Sequence, residues 1–169
     1  MLVITKTAIP TTSLLQSMLA SASFADAYET SLAEETLTPT EIFLKASRAT
    51  PSWVEALMIL RNRIVRRMGL KDVGSMRGSS RGSTHGCEIG DRAGIFNVLA
   101  STDSELLLGI DDKHLDVRVS VFKCQQDNKR GYVVSTVVHV HNLLGRIYML
   151  PVGCIHPLVV QSMMRRAAA

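Results

Sequence analysis

Between Leu115 and Asn142, hydrophobic and polar positions alternate in two runs separated by a polar turn: Leu-Asp-Val-Arg-Val-Ser-Val-Phe-Lys-Cys, and Gly-Tyr-Val-Val-Ser-Thr-Val-Val-His-Val-His-Asn. Strict alternation on both sides of a short turn predicts a β-hairpin. With Asp127-Asn128-Lys129-Arg130 as the loop, Gln126 stands opposite Gly131. Val121, Val119 and Val117 then share one face with Thr136, Val138 and Val140. The other face grades from apolar (Phe122, Cys124, Val133, Val137) to charged, with Arg118 opposite His139 and Asp116 opposite His141. A slip by one residue would exchange the faces and bury the histidines among the valines.

The remaining periodicities fill in the elements around this hairpin. Residues 1–12 are β-branched and extended, and Thr12 or Ser13 caps a short helix reaching Ala20. Phe24 to Leu32 is a first strand. Thr38-Pro39-Thr40-Glu41 opens a helix running to about Ala49, since either threonine can cap it and proline is tolerated in the first turn. Thr50-Pro51-Ser52 starts a second helix, with an apolar stripe of Trp53, Val54, Leu57, Leu60, Ile64, Val65 and Met68 that ends at Gly69. Its arginines read as a solvated face. Residues 71–92 are a flexible loop rich in glycine and serine. Gly94–Ala100 and Glu105–Ile110 are further strands. A long C-terminal helix follows from about Leu144, with a kink or break expected at Pro151 and Pro157.

Strand, two helices, several antiparallel strands and a long final helix make an α+β fold, since no βαβ alternation occurs. The expected architecture is a curved antiparallel sheet packed against the C-terminal helix. A chain of 169 residues with 46% hydrophobic composition fits one domain, 1–169, with residues 1–23 as an N-terminal extension. The net charge of +4 is modest and few aromatics lie among the basic residues, so nucleic acid is not an expected partner. Cys87, Cys124 and Cys154 form no CxxC pair, which argues against a structural zinc or a disulfide framework and for a reducing, cytoplasmic setting. The apolar run near Leu14-Leu15 is broken by Gln16 and Ser17 and is too short for a secretion signal. Leu143 to Val160 is strongly apolar but holds Arg146, His156 and two prolines, so no membrane span is expected. Neither GxxxxGK[ST] nor a GxGxxG opening a helix is present, and no cofactor is expected.

Several strings carry a family resemblance. Gly90-Asp91-Arg92-Ala93-Gly94-Ile95-Phe96, His114-Leu115-Asp116-Val117-Arg118-Val119-Ser120-Val121, and His141-Asn142-Leu143-Leu144-Gly145-Arg146-Ile147-Tyr148 resemble the bacterial family catalogued as domain of unknown function 2867. So does the ending Ile155-His156-Pro157-Leu158-Val159-Val160. The resemblance runs from about Phe24 onward. It implies a START-like, helix-grip arrangement, in which a curved sheet grips a long helix and often encloses an apolar cavity. It implies no activity.

Candidate chemistry gathers at the polar end of the hairpin. His114, Asp116, Arg118, His139, His141, Asn142, Arg146 and Tyr148 are the candidate ligand-binding residues. Phe122, Cys124, Val133 and Val137 would form the apolar wall beside them. A solvated sheet face accounts for the same residues. So does the polar end of a cavity binding a small, partly apolar ligand. An Asp116–His141 general base, with Arg118 holding an anion, is the enzymatic alternative. His139-Val140-His141 has metal-ligand spacing, with His114 or Asp116 as a third ligand, but the nearby arginine disfavours a cation. A structural or protein-interaction domain without a cavity is the remaining reading. His156 reads as a packed or capping histidine, and Trp53 and Tyr148 as core, with the tyrosine hydroxyl reaching a polar partner. Monomer and homodimer stay open.

Overall fold

The computed structural model describes residues 3–31, 36–67, 88–126 and 129–167. In chain order, β1 (Ile4–Lys6) leads through a 3-10 helix (Leu14–Ser21) to β2 (Phe24–Ser31). Two helices follow, α1 (Pro39–Arg48) and α2 (Ser52–Arg67). Five strands come next: β3 (Arg92–Ala93), β4 (Phe96–Ser101), β5 (Glu105–Asp111), β6 (Leu115–Gln126) and β7 (Lys129–Val140). The chain closes with α3 (Leu143–Ala167). The strands form a seven-stranded sheet in the order β1-β2-β7-β6-β5-β4-β3. Every neighbouring pair is antiparallel. This is the expected α+β architecture, a sheet gripping a long C-terminal helix. The N-terminal extension is part of it, because β1 pairs with β2 and the 3-10 helix covers one sheet face.

Local signals explain several boundaries. Thr38 caps α1: its Oγ1 accepts from the Glu41 N–H at 3.2 Å while Glu41 Oε2 accepts from the Thr38 N–H at 2.7 Å. Ser13 caps the 3-10 helix, its Oγ accepting from Leu15 N–H at 3.2 Å. Asn142 caps α3, its Oδ1 accepting from Gly145 N–H at 3.1 Å. Gly94, at φ 62°, turns β3 back into β4, so β4 starts at Phe96 rather than at the glycine.

The central hairpin departs from expectation in one respect. Gln126 pairs with Lys129, not with Gly131, and the ladder is displaced by two residues throughout. Arg118 therefore faces Val137, and Asp116 faces His139. A two-residue connection suits the twist of a hairpin better than a four-residue one. A displacement by two keeps every side chain on its own face, so the burial pattern could not distinguish the two registers.

Each sheet face has its own core. Leu106, Leu108, Val121 and Tyr132 pack with Ile42 and Phe43 of α1 and with Val160 and Met164 of α3. Leu107 and Val137, on the opposite face, pack with Leu15 of the 3-10 helix. Beneath that helix lies a buried polar knot. Glu105 is 3% exposed, and its carboxylate accepts from Ser13 Oγ at 2.6 Å, Ser120 Oγ at 2.5 Å and the Leu14 N–H at 2.9 Å. Three donors replace the water that a buried carboxylate loses.

Two helical expectations need correction. The expected stripe of α2 is not wholly inward: Val54 is buried, but Trp53 and Leu60 are exposed, so Trp53 is not core. Ile64, Val65, Met68 and Gly69, as well as most of the 71–92 loop, lie outside the residues whose packing is described. α3 runs unbroken through Pro151 and Pro157. Each proline removes one intrahelical hydrogen bond. Packing of α3 along the sheet and α1 holds the helix despite these losses. Its outer side leaves Leu143, Ile147, Leu150 and Leu158 exposed, and by length and composition alone α3 could cross a membrane.

Candidate functional site

A cavity of about 250 Å³ lies between the sheet and α3. Its floor is the valine face of the hairpin: Val117, Val119 and Val121 from β6, with Val134, Thr136 and Val138 from β7. α3 supplies Tyr148, Val152, His156 and Val159 as the roof. Phe43 of α1 and Met58 and Arg61 of α2 close one side, and Phe24 of β2 another. The cavity is therefore on the opposite face from the one the sequence pointed to. Phe122, Cys124, Val133 and Val137 do not line it; they face the 3-10 helix side.

Of the eight candidate residues, Tyr148 alone lines the cavity. Its hydroxyl accepts from Arg61 Nε at 3.1 Å, and the Arg61 guanidinium lies 5.7 Å from the centre of its ring. The others form links along the rim and back of the sheet. Arg118 ion-pairs with Asp111 at 2.5 Å and donates to the Val117 and Ile110 carbonyls, rather than meeting His139. His139 Nε2 lies 2.9 Å from the Met18 carbonyl and so ties the 3-10 helix to β7. Asp116 does meet His141, at 3.0 Å, although their backbones are not opposite. Both side chains are substantially solvated, at 28% and 43% exposure. His114 Nδ1 contacts the Asn142 side-chain amide, which also donates to the Lys113 carbonyl at 3.2 Å. Arg146 is exposed. Together these contacts seat the start of α3 on the β5–β6 turn. Gly145 fits there because an added Cβ would lie 2.4 Å from the His114 carbonyl oxygen.

Among the described residues, no group of three or more His, Cys, Asp or Glu could hold a metal ion. His139 and His141 are committed to separate partners.

Besides Tyr148, the polar chemistry at the cavity comes from His156 and its partner Asp26, which pattern reading passed over. His156 is the packed histidine of the two readings and not a cap. It faces the sheet from mid-α3, and its Nδ1 lies 2.9 Å from Oδ2 of Asp26 on β2. The Asp26 side chain is 4% exposed and that of His156 is 20% exposed. Phe24 meets the imidazole edge-on, with ring centres 5.6 Å apart. Oδ1 of Asp26 is buried with no hydrogen-bond partner among the described residues. Burial, and then the Asp26 carboxylate, push the neighbouring Tyr28 hydroxyl above its ordinary range. Both members of the pair carried a faint signal. Asp26 sits on the same side of its strand as Phe24 and Tyr28, and His156 interrupts an apolar helix. An isolated polar residue on an inward face needs a partner, but sequence cannot say which.

At the far end of α3, the buried Tyr132 hydroxyl donates to the Met164 carbonyl at 3.1 Å. That carbonyl belongs to the last turn, where intrahelical donors run out. Burial pushes this phenol far above its usual range, so it stays a donor.

The model of the family described as "Protein of unknown function (DUF2867)" matches residues 18–163. No curated protein and no solved structure matches the chain.

Proposed function

Starting from a chain that belongs to the DUF2867 family, whose description assigns no activity, we propose that this protein binds a small, largely apolar molecule in the cavity between the valine face and α3. The observation that carries this reading is the lining of that cavity. Aliphatic and aromatic side chains make up most of it, and a few polar groups, His156, Tyr148, Arg61, Asp112 and Thr136, line the same space. Such a composition suits ligand pockets, where apolar contact supplies affinity and sparse polar groups set orientation. A space of about 250 Å³ is large enough for a small molecule.

General acid–base catalysis in the same cavity is the second reading. The specific observation in its favour is a histidine oriented by a buried carboxylate, Asp26–His156. The solvated Asp116–His141 pair offers less, because it stands on the other side of the sheet from the cavity. A reactant would have to bring a labile proton. Location in the cytoplasm and the absence of a nucleic-acid partner remain part of the proposal and rest on composition.

Native mass spectrometry of the purified protein tests the binding reading, by looking for a co-purified small molecule. Val119→Phe fills the cavity floor and should abolish that adduct. Retention of the adduct by Val119→Phe would place the ligand elsewhere.

A further inference from the structure

We infer that Asp26 and His156 form the polar anchor of the cavity and select ligands that carry a hydrogen-bond donor, an O–H or N–H group, on an otherwise apolar body. The inference rests on the cavity-binding reading and deepens it.

The argument begins with proton placement. In this proposal Asp26 acts as the acceptor of the 2.9 Å contact, which puts a hydrogen on Nδ1 of His156. On this reading the ring is the Nδ1–H imidazole, whose Nε2 carries the lone pair. No described residue hydrogen-bonds to that nitrogen, and the ring lines the cavity. A donor on the ligand would take the place of water at this acceptor, since the His156 side chain is 20% exposed. The same contact fixes the ring plane, in the way a carboxylate fixes the tautomer of a working histidine.

The cost of the arrangement points the same way. Asp26 is buried on an apolar sheet face, and one of its oxygens is unpaired. A polar atom left in this state costs stability that an apolar residue of similar shape would not. Its inward neighbours on β2, Phe24 and Tyr28, are large aromatic side chains. Packing alone gives no reason for an aspartate there; holding His156 does. Asp26 is thus a positioning residue, and His156 is the group that would touch the ligand. The second polar point is Tyr148, eight residues earlier on α3 and about 12 Å away along the helix axis. Its hydroxyl accepts from Arg61 and keeps its own proton to donate. A ligand spanning both points would present a donor to His156 and an acceptor to Tyr148.

Calorimetric titration with a matched pair of probes tests the inference. 2-Naphthol carries an O–H donor; 2-methoxynaphthalene has the same rings without it. The wild-type protein should bind the naphthol about three- to tenfold more tightly, the range of one good hydrogen bond. His156→Phe should level the two affinities while leaving binding of the ether intact. Asp26→Leu should also level them. Asp26→Asn, which keeps an acceptor for Nδ1, should retain most of the preference. Nitrogen-15 NMR of the wild-type imidazole should show the Nδ1–H tautomer, and Asp26→Leu should lose it. Equal affinity of the wild type for both probes, or an Nε2–H tautomer, would overturn the anchor while leaving the cavity reading intact. Binding of neither probe would overturn both. The wild-type comparison and the NMR measurement need no variant, so a variant that fails to fold does not rescue the inference.

Discussion

Asp26 and His156 stand 130 residues apart in the chain and 2.9 Å apart in the fold. One comes from the second strand and the other from the middle of the last helix, so their contact exists only once α3 has docked on the sheet. It gives a largely apolar interface one oriented polar group, and it bears on stability as well as on binding.

Asp26→Leu should leave the protein folded and change its stability by no more than about 1 kcal/mol, since it removes a buried unpaired oxygen along with a hydrogen bond. Urea denaturation measures this. A loss above about 3 kcal/mol would mean that Asp26 is kept for folding rather than for holding His156.

Glu105→Ala should be far more damaging. It strands the Ser13 and Ser120 hydroxyls and the Leu14 N–H beneath the 3-10 helix. A cost of about 2–4 kcal/mol is expected. Asp111→Ala, which breaks an ion pair whose carboxylate is 63% exposed, should cost less than about 1 kcal/mol. Equal effects in thermal unfolding would refute the contrast.

Gly145→Ala sets helix propensity against sterics. Propensity alone would stabilise α3 by about 1 kcal/mol. The new methyl, however, would meet the His114 backbone oxygen at 2.4 Å, and a backbone atom cannot swing aside. Overpacking of this kind costs roughly 1–3 kcal/mol or more. Net destabilisation is expected, and a rise in melting temperature would show that the helix start is not seated as described.

The capping box of α1 should give a defined pH response. Hydrogen bonds from Thr38 hold the Glu41 carboxyl below its ordinary 4.5. A group whose pKa is depressed by folding stabilises above its unfolded value, and the gain is lost as pH falls through the folded value. Glu41→Gln, which removes the ionisable partner of the Thr38 N–H, should therefore cost less than about 1 kcal/mol at neutral pH, and the gap to wild type should narrow as pH drops below about 4.5. Denaturation curves that stay a constant distance apart would contradict it.

The cysteines should separate kinetically. Burial, and then the Glu29 carboxylate, push the Cys124 thiol up, which lowers its thiolate fraction at neutral pH. Cys154 is exposed. Timed alkylation followed by peptide mass spectrometry should find Cys154 modified before Cys124.

Much of the fold was legible in the chain. Two-residue alternation predicts the hairpin, the Thr-Pro-Thr-Glu string marks the start of α1, and the order of elements gives the α+β class. Side-chain period also determined which hairpin residues share a face, and this survived a two-residue error in register. What sequence could not determine was which face would receive α3. Both faces of the hairpin are apolar over most of their length, and α3 is apolar nearly all round, with Leu150 and Leu158 outward while Val160 and Met164 are buried. A helix without a polar side carries no instruction about which way to dock. Tertiary packing resolved it: the 3-10 helix and the Glu105 knot closed the face bearing Arg118 and His139, and α3 took the valines. That choice moved the cavity away from the conspicuous histidines and onto Asp26 and His156, whose meaning depends on a partner that only the folded chain brings near.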